Sequence, residues 1–185
     1  VGQAVLGVGI GSDAGIGAAA SATRFTQDVS AAIVGGSVTG TSNDGVGVHA
    51  FNNQQTFAIT SGIAGSGTAG ITGSVAVDLF DSDTRATIDG GAQINTGAVT
   101  VEAETFDAVG GVNGALAIGG TLGAAGAFNV ATMQDRTLAR IGSEAGDDGT
   151  DVTASGDVTV AASGIDRYSG LAISAGFGGN VGIGG

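Results

Sequence analysis

This sequence has no cysteine, no proline, no tryptophan and no lysine. Without cysteine there is neither a disulfide nor a thiolate metal site, and a small stapled scaffold is excluded. Without proline every backbone N–H can join a hydrogen-bonded ladder, and Pro-rich disorder is excluded. Aromatics are few, seven Phe and one Tyr, so Ala, Val and Ile have to fill the interior and its layers have to lie close together. Positive charge is equally scarce: Arg24, Arg85, Arg136, Arg140 and Arg167 stand against 17 acidic residues, for a net charge of −12. That balance excludes the basic face that nucleic acid needs and disfavours anionic lipid. It predicts an acidic surface that keeps a fibre soluble, discourages lateral clumping and can collect divalent cations. No signal peptide and no membrane-spanning run is visible, and membrane insertion is not expected. A chain that starts at valine reads as a processed or partial piece of a longer one.

What is present in excess is glycine, 38 of 185 residues, without the Gly-X-Y period of collagen. The 42% of hydrophobic residues is too high for a disordered chain of low hydropathy. They recur in a block found three times. Ala31 and Ile33, Ala86 and Ile88, and Ala139 and Ile141 form one motif, with isoleucines 55 and 53 residues apart. Val46 and Val48, Val99 and Val101, and Val158 and Val160 form a second, with first valines 53 and 59 apart. A fixed period marks an array in which each unit buries its apolar face on the next. The units run approximately 10–62, 63–115 and 116–185, one continuous array over 1–185.

Alternation by two indicates strands, as in Val75, Val77 and Leu79, or Leu116 and Ile118. Phe25, Val29 and Ile33 also fit one helical face, as do Met133, Leu138 and Ile141, but the strictly alternating middle copy favours strand for all three. Turn formers punctuate the chain at Asn43-Asp44-Gly45, Asp89-Gly90-Gly91, Asn113-Gly114, Asp147-Asp148-Gly149 and Ser155-Gly156-Asp157. A unit of this size divides into roughly three coils of about eighteen residues, which predicts roughly nine or ten rungs and a rod about 45 Å long. Gly/Ala tracts at 7–20, 62–73, 110–127 and 170–185 contain apolar residues in register, Ile10, Ile63 and Leu116 being 53 apart. They read as strands that pass close to another backbone and whose flat, uncharged edges are prone to self-association, rather than as linkers.

Chemistry is thin. His49 is the only histidine, and its repeat equivalents are Glu102 and Ala161, so it reads as a surface residue. No serine sits in a nucleophile elbow. Asp81 with Asp83, and Glu102 with Glu104, share strand faces, but no aromatic platform accompanies them for sugar binding. Thr100 and Thr159 align in the repeat, but Gly47 breaks the threonine row an ice-binding face needs. The extra residues of the third unit form an exposed acidic loop over 143–151, where Asp147, Asp148 and Asp151 are candidate Ca²⁺ ligands with neither EF-hand nor nonapeptide spacing. No catalytic residue, no enzyme activity and no cofactor other than Ca²⁺ is expected.

The sequences Thr137-Leu138-Ala139-Arg140-Ile141-Gly142 and Gly156-Asp157-Val158-Thr159-Val160-Ala161-Ala162, entered through Asn129-Val130, resemble the repeats of large bacterial surface adhesins, filamentous-haemagglutinin-like and autotransporter passenger proteins. Thr84-Arg85-Ala86-Thr87-Ile88 and Gly97-Ala98-Val99-Thr100-Val101 repeat the pattern. The resemblance implies secretion across the outer membrane, a parallel β-solenoid stalk, and adhesion or surface display. The expected fold is all-β, a parallel β-solenoid of about three units, with stacked antiparallel sandwich-like repeats as the alternative. The expected function is that of an extracellular structural fibre or adhesin stalk at the cell surface, which associates with itself by strand stacking. The alternative is a module binding Ca²⁺ or a host receptor.

Overall fold

The computed structural model describes residues 2–147 and 149–185. It is built of strands, with no helix among the described residues. In chain order these are β1 (Gly2–Gly11), β2 (Ala14–Val34), β3 (Ser37–Thr39), β4 (Gly45–Ser66), β5 (Ala69–Asp89), β6 (Gln93–Thr96), β7 (Ala98–Gly119), β8 (Leu122–Ile141), β9 (Asp151–Ala154), β10 (Val158–Gly178) and β11 (Val181–Gly184). They form three parallel sheets ordered β1-β4-β7-β10, β2-β5-β8-β11 and β3-β6-β9. The chain is a parallel β-solenoid, and the antiparallel alternative is excluded.

The register is that of the repeat. Ile33 pairs with Ile88 and Ile88 with Ile141; Val46 pairs with Val99 and Val99 with Val158. One feature departs from expectation. Each repeat is a single coil, not three of about eighteen residues. A coil runs up a strand of 22 residues such as β4, turns within two residues, returns along one of 21 residues such as β5, and closes through a short strand such as β6. The long strands span about 70 Å and four rungs rise only about 14–19 Å, so the solenoid is wide and flat instead of a 45 Å rod. Asn113-Gly114 is not a turn; it lies inside β7. Nor is Ile10 in register with Ile63: the first coil is offset by 55, so that Val8 pairs with Ile63 and Ile10 with Gly65.

The two long sheets pack face to face, and their interior changes character along the strands. Toward the third sheet it is aliphatic. Val48, Ala50, Val99, Val101 and Ala103 meet Ala86 and Ile88, with Ala92 and Ile94 closing the end. The turn into the third sheet is made by Gly35-Gly36 and Gly90-Gly91, all at φ between 66° and 79°, a region that an L side chain enters only at a cost. Further along, Phe25 stacks on Phe80 of the next rung with centroids 5.7 Å apart. At the opposite end, where β4 turns directly into β5, the inward side chains are small: Thr60, Ala64, Ala115, Ala117, Thr72, Ser74 and Ala125. The sheets meet so closely there that a Cβ on Gly70 would lie 2.5 Å from the carbonyl oxygen of Ile118. The Gly/Ala tracts are therefore strands in close backbone contact.

Candidate functional site

Alternation places every second residue inside, and mid-strand this brings polar side chains into the space between the sheets. Gln54, Asp107 and Asp166 form one inward column, and Gln27, Ser82 and Asp135 form the facing one. Asp107 is 1% exposed, Asp135 is half-buried and Asp166 lies on the open last rung. Each offers a carboxylate oxygen within 4.8 Å of the other two. Neither oxygen of Asp107 or of Asp135 meets a hydrogen-bond donor at bonding geometry among the described residues. Beside them Asn52 donates Nδ2 to Ser82 Oγ at 2.7 Å and leaves its own buried Oδ1 without a donor, and Thr137 Oγ1 donates to Thr105 Oγ1 at 2.9 Å.

Nothing positive enters this space. The strand parity that turns Asp135 inward turns Arg136 outward, and the other four arginines also occupy outward positions. Burial, reinforced by the Asp166 and Asp107 carboxylates, pushes the Asp135 carboxyl up to about 8. Burial likewise raises Asp107 above the ordinary carboxylate range, against the opposing pull of Asp135, with Asp166 adding to the rise and the nearby Ser82 hydroxyl and Gln54 backbone reducing it. Carboxylates this close, two of them drawn away from water, can be relieved by a shared proton or by a hard cation. An all-oxygen donor set of three carboxylates with Ser82 and Asn52 at hand suits Ca²⁺ better than a transition metal.

The residues singled out in the sequence lie elsewhere. Asp151 opens β9 opposite Gln93, Asp147 Oδ1 accepts from Gly149 N at 2.9 Å, and Asp148 lies outside the described residues. The loop before them is drawn back onto the sheet by Glu144, which Arg136 and Arg140 approach to 3.3 and 3.4 Å. His49 is exposed and sits 3.2 Å from Glu102 on the outer face of the first sheet. Glu104 shares that face, whereas Asp81 and Asp83 point out from the second sheet, where Arg85 donates Nε to Asp83 at 2.6 Å. The two acidic pairs therefore face away from each other across the sandwich.

Asp107, Asp135 and Asp166 escape a reading of local motifs because they come from three strands. One signal was available: Asp166 follows Asp107 by 59 residues, the same offset that separates Val158 from Val99. The chain matches no family model, no curated protein and no solved structure.

Proposed function

We propose that this chain is a structural array module of an extracellular surface fibre or adhesin stalk, and that it associates with itself along its axis by adding rungs. The observation that carries the axial reading is a contrast within one column. Val99 and Val101 are 0% exposed beneath their neighbours, while Val158 and Val160, in the same register one rung on, are 50% and 46% exposed. A further parallel rung, from the same chain or a second copy, covers that column and satisfies the open ladder groups of β10 and β11. The surface assignment draws on the adhesin-like repeats, and antibody labelling of intact cells tests it.

The axial test is electron microscopy and sedimentation of the purified chain with a Val160→Lys partner variant. Concentration-dependent elongated particles are expected from the first. The variant should lose them while keeping its β circular dichroism, because a lysine on the open rung would be buried by the next one. Particles of identical length in both proteins would refute axial growth.

A second reading, a Ca²⁺-binding module, is favoured by the Asp107, Asp135 and Asp166 group. Its independent support is that Asp107 is wholly buried and aimed into the group, in a space that no arginine enters and where no positive charge balances it. Calorimetric titration with Ca²⁺ should give heat and raise the melting temperature of the wild type but not of Asp107→Asn. Loss of binding in Asp147→Ala instead, or no binding in the wild type, would overturn it.

A further inference from the structure

We infer that the uncharged half of the solenoid is an interface through which copies of this chain stack face to face, sheet against sheet. Charge is segregated along the strands. Residues 55–77, 108–134 and 168–185 contain no Asp, Glu, Arg or Lys, and residues 1–23 contain only Asp13, at a turn. These segments are the arched ends of the coils, where β1 passes to β2, β4 to β5, β7 to β8 and β10 to β11. Toward the turns their interior is taken by Gly, Ala, Ser, Thr and Asn, with Val5, Val109, Met133 and Tyr168 the larger inward residues nearer mid-strand, so most of the large apolar side chains there point out.

Both broad faces are affected. On the first sheet Ile10 is 85% exposed, with Leu6, Phe57, Ile59, Ile118, Leu171 and Phe177 across the four rungs. On the second, Ile16 is 73% exposed, with Ile71, Val75, Leu79, Phe128 and Ile183. The surface is relieved by a groove of about 310 Å³ between Ile63, Leu116 and Ile173, which suits protruding aliphatic side chains of an opposing face. About ten residues of each strand at ~3.3 Å, over four rungs at ~4.8 Å, give an apolar face of roughly 600 Å². That is at the upper end of what a monomer exposes, and pairing two such faces buries about 1,200 Å² in total, the threshold of a stable specific interface.

The occupant is a second copy. A lipid bilayer would cover the side chains but would leave the ladder groups of the outermost strands unpaired in hydrocarbon. An opposing copy covers the same surface and leaves those edges free for water or further rungs. Apart from Asp13, exposed at the tip of the first turn, the carboxylates lie in the other half of the strands, so an overlap of arch upon arch with the charged halves projecting in opposite directions keeps the strand carboxylates out of the contact and separates the two acidic ends. Because each copy carries two apolar faces, the association is open-ended: every face covered leaves another exposed on the far side. Lateral clumping, which the net charge was expected to oppose, is thus built into the half that carries none of it. This inference concerns the sides of the stack and is independent of growth along its axis.

The test is sedimentation velocity over a concentration series at moderate salt. Two variants charge one face each: Ile59→Lys with Leu171→Lys on the first sheet, and Val75→Lys with Phe128→Lys on the second. All four positions are solvent-exposed in the single chain, so circular dichroism and melting of the dilute protein should be unchanged. All variants are made in a Val160→Lys background, which blocks only the axial edge, so that lateral and axial association are read separately. With that change alone the chain should form species beyond the dimer, each one-face variant should stop at the dimer, and the combined variant should stay monomeric even at a 100-fold higher concentration. A Val160→Lys chain that remains monomeric throughout would overturn the inference. So would one that floats with phosphatidylcholine vesicles without self-associating, which would point to lipid as the occupant.

Discussion

Ile88 and Ile59 are both repeat isoleucines, and the fold gives them opposite weight. Ile88 is 0% exposed, packed between Ile33 and Ile141 of the rungs on either side and against the Val99 and Val101 column. Ile59 is 45% exposed and projects from the outer face of the first sheet. Truncating Ile88 to alanine removes buried carbon and leaves a hole that hydrogen-bonded ladders on both sides keep from closing. Buried Ile→Ala changes cost about 2–5 kcal/mol, and this site belongs in the upper half of that range, about 4 kcal/mol. Truncating Ile59 forfeits only the burial it has in the single chain, roughly half a side chain and no cavity, about 1 kcal/mol. Urea unfolding at low concentration, where lateral contacts are absent, measures both. The difference of about 3 kcal/mol is a change of roughly 100-fold in the unfolding equilibrium. Equal costs, or an Ile88→Ala cost below about 1 kcal/mol, would mean that inside and outside have been exchanged along the strands, and the packing argument would fail with them.

Stability should depend on pH through the buried acids. Asp135 is raised to about 8, so between about pH 4 and about pH 8 the folded chain holds a proton that the unfolded chain has lost, and Asp107, raised as well, acts in the same direction. Stability is therefore greatest at and below about pH 4 on this account and falls as pH rises toward about 8, by at most about 1.4 kcal/mol per pH unit for each proton held. Melting curves across that window should show the decline, Asp135→Asn should flatten it, and a stability that climbed with pH would contradict the buried placement. Gly70→Val should be far more damaging than its position on an apparently loose tract suggests. Its Cβ would lie 2.5 Å from Ile118 O, which forces the sheets apart at a cost of about 3 kcal/mol or more. Gly114→Ala on β7 places its methyl 3.6 Å from Ser61 Oγ, ordinary contact, and should change the urea midpoint little. Similar midpoints for the two glycine variants would argue against close approach of the sheets.

The stacking was legible because a solenoid enforces its period. A column such as Val46, Val99 and Val158 survives only if each coil returns to the same place. The size of the coil was not, because strands of more than 20 residues lie far outside the usual range and an Asn-Gly pair inside β7 imitates a turn. There Asn113 points inward and donates Nδ2 to the backbone oxygens of Ser74, at 3.2 Å, and Phe128. Which face is inside was also hidden. Alternation separates Val75, Val77 and Leu79 from Ser74, Ala76 and Asp78, and the habit of placing apolar residues inside selects the wrong set. The clue lay in size instead of polarity: in the tracts the small residues keep one parity and the branched or aromatic ones the other. The acidic group needed the 59-residue offset of the last coil before its members could be seen as neighbours.

The inversion of the arched half follows from the shape of the coil. At one end a third strand has to fit between the long ones. The sheets are held apart there, and Val, Ile and Ala fill the gap. At the other end they join through a two-residue turn and must converge until only hydrogen or methyl fits between the backbones, as at Gly70. Large side chains on the converging strands have one direction left, outward. Apolar residues placed there cannot contribute to the coil's own interior, and only contact with another molecule would bury them, as the proposed stacking does. An array needing no lateral contact would be served by Thr, Ser or Lys at Ile10, Ile59, Val75 and Leu171. In place of these stand branched aliphatics over all four rungs of both faces, and the acids and arginines are kept to the far half of each strand. The same narrowing that forces glycine inside therefore leaves the outer apolar surface on which the proposed face-to-face stacking rests.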